Sequence, residues 1–144
     1  MRGYLARTGV GTAIVGLFAI VGCNSEPPVY KTHGKVVYKG SGKPFNQGKV
    51  WFESTKPPYI RSMAKLNENG EFDLGTTTRD NGAIEGEHRV QIAPPELGTE
   101  AAYKAWLKNI DQKYLEYRNS GIKQTVLPNQ ENNLVIEITR PGEK

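Results

Sequence analysis

The one cysteine of this 144-residue chain, Cys23, follows Ile20-Val21-Gly22 at the end of an apolar run from Val10 to Val21 that only Gly and Thr interrupt. Arg2 and Arg7 precede the run, and no acidic residue does. Basic, then apolar, then small residues is the order of an export signal with a processing site. The run is shorter than the roughly 18 apolar residues that cross a hydrocarbon core, so the sequence predicts a removed segment rather than a permanent transmembrane helix. Plainer readings are a buried or reactive free thiol at Cys23, or a plain signal peptide cleaved elsewhere.

Other residues with chemical potential are sparse. The two histidines are His33 and His88. Glu68, Glu71 and Asp73 flank a turn, but calcium needs six to eight oxygens, and no zinc spacing, phosphate-cradling glycine loop or Ser/His/Asp set is present. The sequence therefore predicts no metal, no cofactor and no catalytic residue. Lys31, His33, Lys35 and Lys39 share odd numbering, so a regular strand projects them from one face. Such a strip could touch a membrane or polyanion, or it could be a solvated face whose lysines guard a sheet edge. Tyr103, Trp106, Tyr114 and Tyr117 recur at helical spacing. They could stack on a sugar or peptide, or dock a helix onto a core.

Ile20-Val21-Gly22-Cys23 resembles the lipobox of bacterial lipoproteins, with Ile20 where Leu is more usual. The resemblance implies cleavage after Gly22 and a thioether-linked diacylglyceryl group on Cys23. It also implies export by the Sec route and a mature protein held at the cell envelope. Two or more acyl chains are what stable anchoring requires. Asn24 after the cysteine implies the outer rather than the inner membrane where two membranes exist. The expected organisation is a signal peptide over residues 1–22, a lipidated cysteine and short tether over 23–30, and one domain over 31–144.

Removing residues 1–22 leaves 122, enough for one small domain with a modest core. With Cys23 acylated no disulfide is available. Asn24 to Leu66 carries eight Lys and Arg against Glu26 and Glu53, whereas Asn67 to Lys144 carries nine against thirteen acids, so charge divides along the chain. The basic half lies next to the expected anchor and would suit anionic headgroups or an acidic envelope polymer. Nucleic acid is an unsuitable partner for an exported chain. Polar residues and Pro27-Pro28 make Asn24 to Tyr30 a stiff tether with a reach of about 25 Å.

Beyond the tether, alternating segments separated by Gly, Asn and Pro predict an all-β sandwich. Seven strands are expected near Tyr30–Tyr38, Lys49–Glu53, Ser62–Leu66, Glu71–Leu74, Gly86–Ile92, Lys123–Leu127 and Leu134–Thr139. Val50, Phe52, Phe72, Leu74, Val90, Ile92, Leu134, Ile136 and Ile138 face inward. Asn69-Gly70 predicts a hairpin between the third and fourth strands. One helix is expected from a Thr99 cap to Tyr117, inserted before the last two strands and covering Trp51.

Gly34-Lys35-Val36, Gly42-Lys43-Pro44-Phe45, Gly48-Lys49-Val50-Trp51-Phe52, Asn69-Gly70-Glu71-Phe72-Asp73-Leu74 and Gly86-Glu87-His88-Arg89-Val90-Gln91-Ile92 together resemble the carboxypeptidase-regulatory-like, or transthyretin-like, sandwich. The nearest version is the small lipoprotein type of planctomycete bacteria. Lys113-Tyr114, Asn119-Ser120-Gly121-Ile122, Val126 and Asn132 extend the resemblance, and Asp111 and His88 depart from it. These motifs are turn glycines and core positions, so they imply a fold rather than a chemistry. The transthyretin fold includes hydroxyisourate hydrolases, which Thr32-His33 and Tyr117-Arg118-Asn119-Ser120 faintly resemble; such an enzyme would need His33 and His88 to converge. Cna-type relatives form Lys–Asn isopeptide links, which here would need a lysine such as Lys35 beside Asn132 or Asn133 and a buried acid. The function expected is a lipid-anchored, non-catalytic binding or structural module, with an envelope protein or glycan as partner. A carbohydrate- or peptide-binding lipoprotein is the alternative.

Overall fold

A computed structural model describes residues 25–144; the expected signal segment and Cys23 lie outside the described residues. The described chain contains nine strands: β1 (Val29–Tyr30), β2 (Thr32–Tyr38), β3 (Lys49–Ser54), β4 (Arg61–Lys65), β5 (Glu71–Asp73), β6 (Ala83–Ile84), β7 (Gly86–Ala93), β8 (Lys123–Val126) and β9 (Asn132–Ile138). Helix α1 (Glu100–Leu107), a 3₁₀ turn (Gln112–Leu115) and a short helix α2 (Tyr117–Ser120) lie between β7 and β8. Seven strands make the sandwich, as a three-stranded sheet ordered β5-β2-β9 and a four-stranded sheet ordered β4-β3-β7-β8. β1 and β6 form a separate two-residue ribbon.

Alternation along each strand builds the core. Val36, Phe72, Ile136 and Ile138 from the three-stranded sheet meet Val50, Phe52, Val90 and Ile92 from the four-stranded sheet, all of them buried. Phe52 and Phe72 join the two layers with ring centroids 5.9 Å apart. β2 and β9 run parallel, from Thr32 opposite Asn132 to Tyr38 opposite Ile138, while the other pairings are antiparallel.

Two local readings change. The Asn69-Gly70 hairpin joins two sheets instead of two strands of one, because β4 pairs with β3 and β5 with β2. Across the turn the Asn67 amide donates to the Glu71 carbonyl at 2.9 Å, and Met63 and Gly75 form an antiparallel bridge. The turn carries the chain from one sheet to the other, and the Asn67 side chain accepts from the Asn69 and Glu71 amides at 2.9 Å each. Gly70 adopts φ 73°, and a β-carbon there would lie 2.8 Å from the Val36 carbonyl oxygen and 2.9 Å from that of Phe45. The tether also shortens, because Val29 and Tyr30 are paired with Ile84 and Ala83.

The expected helix over Thr99–Tyr117 is broken. Thr99 caps α1 as foreseen, accepting from the Ala102 amide, and Glu100 pairs with Lys104 one turn on. Past Lys108 the sandwich takes the backbone groups that a longer helix would use: the Tyr38 hydroxyl donates to the Asn109 carbonyl at 2.9 Å, and the Asp111 amide donates to the Thr139 carbonyl at 2.9 Å. Ile110 between them is fully buried, and Asp111 then caps the 3₁₀ turn.

Candidate functional site

Strand direction gives the sandwich two poles. At the N-terminal pole lie the β1–β6 ribbon, the starts of β2, β7 and β9, the ends of β3 and β8, and the loop from Thr55 to Ile60. At the opposite pole the segment from α1 to the 3₁₀ turn closes the core. Trp106, 3% exposed, packs on Phe45 at 6.5 Å and donates its indole N–H to the Gln47 carbonyl at 3.1 Å. The buried Tyr114 hydroxyl lies 3.2 Å from that of Thr139.

Trp106 and Tyr114 are therefore interior residues and not ligand-stacking ones; their apolar surface is already spent against the core. Tyr103, 37% exposed, is the member of the expected set left at the surface, stacked on Trp106 with centroids 6.1 Å apart. It borders a shallow groove with Pro94, Pro95 and Leu97. The aromatic partners of Trp106 are Phe45 and Tyr103, so the expected cover over Trp51 is replaced by a plug at the pole. Trp51 stands half-buried on the outer face of the four-stranded sheet, in register with Met63 and Gln91.

The basic strip is also less basic than its spacing suggests. Lys31, His33 and Lys35 do share the outer face of β2, but β2 is the central strand of its sheet and guards no edge. Acidic neighbours answer them: Lys31 lies 3.6 Å from Asp73, His33 lies 3.2 Å from Glu131, and Lys35 stands opposite Glu71. Exposed pairs such as these add little stability, yet they cancel the field that would draw a polyanion. Lys39 follows the strand and is exposed.

The two histidines do not converge. His33 faces outward from the three-stranded sheet, whereas His88 is fully buried in the four-stranded sheet, against Phe52 with centroids 6.0 Å apart. Its Nδ1 lies 3.0 Å from the Gly86 carbonyl oxygen and its Nε2 has no partner. Burial pushes the His88 pKa down, outweighing the Gly86 hydrogen bond that raises it, so the ring is neutral. An isopeptide link fails on the same ground of placement. Asn132 uses its side chain to close the β8–β9 turn onto Leu127, and Lys35 stands opposite Val135.

The buried acid that sequence reading could not locate is Glu53, 4% exposed on the outer face of β3. Arg61 and Arg89 flank it in register on β4 and β7 and both bond its carboxylate. Tyr117 lies over the pair, with the guanidinium carbons 5.9 and 5.5 Å from its ring centre. Burial pushes the Glu53 carboxyl up, but the two guanidiniums outweigh this and hold it below the usual carboxylate range. The same burial, with Glu53 nearby, pushes the Tyr117 hydroxyl up to about 12. Glu53 accepts from both arginines, so the cluster closes on itself and fastens α2 to the sheet. Among the described residues no group of three His, Cys, Asp or Glu side chains is placed to hold a metal ion.

No protein-family model matches the chain, and no curated protein matches it. Among solved structures, a crystal structure of a DUF3823 family protein from Parabacteroides merdae aligns with 80% of this chain at 15% identity and a TM-score of 0.46. This chain spans about half the length of that protein, covering 48% of it.

Proposed function

We propose that the protein is a lipid-anchored extracytoplasmic β-sandwich of the carboxypeptidase-regulatory-like kind, working as a non-catalytic binding or structural module at the cell envelope. Cys23 is the acyl acceptor, the Sec route exports the chain, and the outer membrane is the destination where two membranes exist. The observation that carries the non-catalytic half is the fate of the titratable groups. His88 is shut in the core, His33 faces out from the other sheet, and Glu53 is saturated by two arginines. Acid–base chemistry needs such groups converging on a shared substrate position. The lipobox resemblance supports the anchored half.

The test is the mass of the N-terminal peptide from membrane-extracted protein beside a Cys23→Ala variant. Acyl mass on Cys23, with release of the variant from membranes, is the expected result. An N-terminal peptide beginning at Met1 would remove the anchor from the reading. The catalytic alternative is separable: replacing both His33 and His88 should leave any ligand binding intact, whereas a hydrolase would lose turnover.

A glycan or peptide ligand is a second reading, favoured by the groove beside Tyr103. An exposed ring backed by Trp106 and bordered by Pro94 and Pro95 offers a rigid apolar platform.

A further inference from the structure

Tyr59 and Leu127 are large apolar side chains left 52% and 50% exposed, and both belong to the N-terminal pole. Around them the exposed rings of Pro27, Pro28, Pro57, Pro58 and Pro128 gather from three separate stretches of chain. These prolines and Leu127 border one crevice of about 570 Å³. Large exposed apolar residues collected at one pole mark a contact surface more than scattered ones do. The backbone adds a second sign. Tyr59 adopts φ 52° in a turn closed by its amide on the Lys56 carbonyl at 3.0 Å, a conformation that Gly or Asn holds with less strain. The residue in that conformation is aromatic and half of it is exposed.

We infer that this pole is a membrane-contact surface, its apolar side chains lying among lipid headgroups and the first acyl carbons. The inference rests on the proposed lipidation of Cys23 and gives that anchor an orientation. Only three residues lie between Cys23 and Pro27, four steps with a reach of about 14 Å, so the acyl chains enter the bilayer beside this pole and not beside the α1 plug. Tyr is suited to such a boundary, with an apolar ring and a wet hydroxyl. Charge selects the kind of lipid. Exposed Lys56, Glu85 and Glu87 line the crevice, and Glu87 pairs with Lys123 at 3.2 Å, so the pole has no cationic excess and contact is apolar in origin. Binding in this orientation should then occur on zwitterionic bilayers as readily as on anionic ones.

The experiment uses the acylated mature protein, beginning at Cys23, in phosphatidylcholine vesicles, with and without phosphatidylglycerol. Because Cys23 is blocked by lipid, Tyr59→Cys, Leu127→Cys and Lys108→Cys each introduce one reactive thiol for a nitroxide. Labels at 59 and 127 should be several-fold more accessible to oxygen than to an aqueous nickel relaxant. The label at 108, beside the plug, should show the reverse, in both lipid mixtures. Equal aqueous accessibility at all three sites, in protein that stays vesicle-bound, overturns membrane contact while leaving the anchor standing. Dipolar broadening between labels at 127 would show a second copy on the pole and overturn it too. An unmodified Cys23 mass removes the anchor and this inference with it. Matching thermal melts of the three variants establish that each label sits on the folded domain.

Discussion

Arg89 grips the Glu53 carboxylate with two nitrogens, Nε at 2.9 Å and Nη2 at 2.5 Å, from the position directly opposite it in the β3–β7 ladder. Arg61 completes the clasp from the β4 side at 2.6 Å. Removing the acid leaves two guanidiniums side by side under Tyr117. Glu53→Ala should lower the unfolding free energy by about 1 to 3 kcal/mol, the range for a charged hydrogen-bonded group, and toward the lower end because both arginines reach water. Urea unfolding checks this, with the midpoint falling and the slope unchanged.

The same clasp makes the domain sensitive to acid. The folded carboxyl titrates below its ordinary value of 4.5, so the unfolded chain binds a proton first as pH falls. The contribution of Glu53 is fully present above pH 4.5 and is lost as pH falls through the folded pKa. Denaturation curves at pH 6 and pH 3.5 should therefore differ more for the native chain than for Glu53→Gln.

His88 sets a separate, higher threshold. Its folded pKa is depressed below the ordinary 6.5, so its burial carries no proton-linked cost well above that pH and destabilises the fold progressively below it. Phe at this position would keep the packing on Phe52 and remove the orphaned Nε2. His88→Phe should match or exceed native stability at pH 7.5 and gain further on it at pH 5.5. Equal pH dependence of the two chains would show that His88 does not titrate with folding.

Which parts of this were legible follows from how local each signal is. Alternation needs only neighbouring residues, so the strands and inward positions such as Phe52, Val90 and Ile136 could be read directly. The Glu53 site could not, because a lone acid in a strand looks like a solvent-facing residue until the register places Arg89 opposite it, 36 residues away. Asn69-Gly70 marks the hairpin turn, but the dipeptide does not say whether its two arms share a sheet, and only the pairing of β4 with β3 and of β5 with β2 decides. The broken helix fails for a similar reason. Three-and-four spacing from Tyr103 to Tyr117 is real, and nothing in it announces that Tyr38 and Thr139 will capture the backbone around Ile110.

Gly70 tests the crossing. Its positive φ and the carbonyls of Val36 and Phe45 leave no room for a β-carbon, so Gly70→Ala combines backbone strain with a steric clash. The loss should exceed the roughly 1 kcal/mol of an ordinary Gly-to-Ala mismatch. Gly40, also at positive φ but with no atom within 4 Å of its β-carbon site, is the control. Its Ala variant carries the strain without the clash, and the difference in thermal midpoint isolates the close approach.

Tyr103 and Trp106 divide the aromatic stripe between two roles, and substitution can separate them. Trp106 fills the pole between Phe45 and the α1 backbone, and its truncation opens a cavity that the rigid sandwich cannot collapse into. Trp106→Ala should cost about 3 to 5 kcal/mol, and Trp106→Phe about 1, the share of the hydrogen bond to Gln47. Tyr103 keeps one side open, so Tyr103→Ala should cost well under 2 kcal/mol while removing the platform that the groove with Pro94 and Pro95 presents. A glycan or peptide that binds the native chain should then be lost on Tyr103→Ala while the variant still melts cooperatively, with a midpoint only modestly lowered. Binding retained in that variant would move the ligand away from α1 altogether. If Trp106→Ala melted like the native chain, the segment would be a surface element and not the plug of the core.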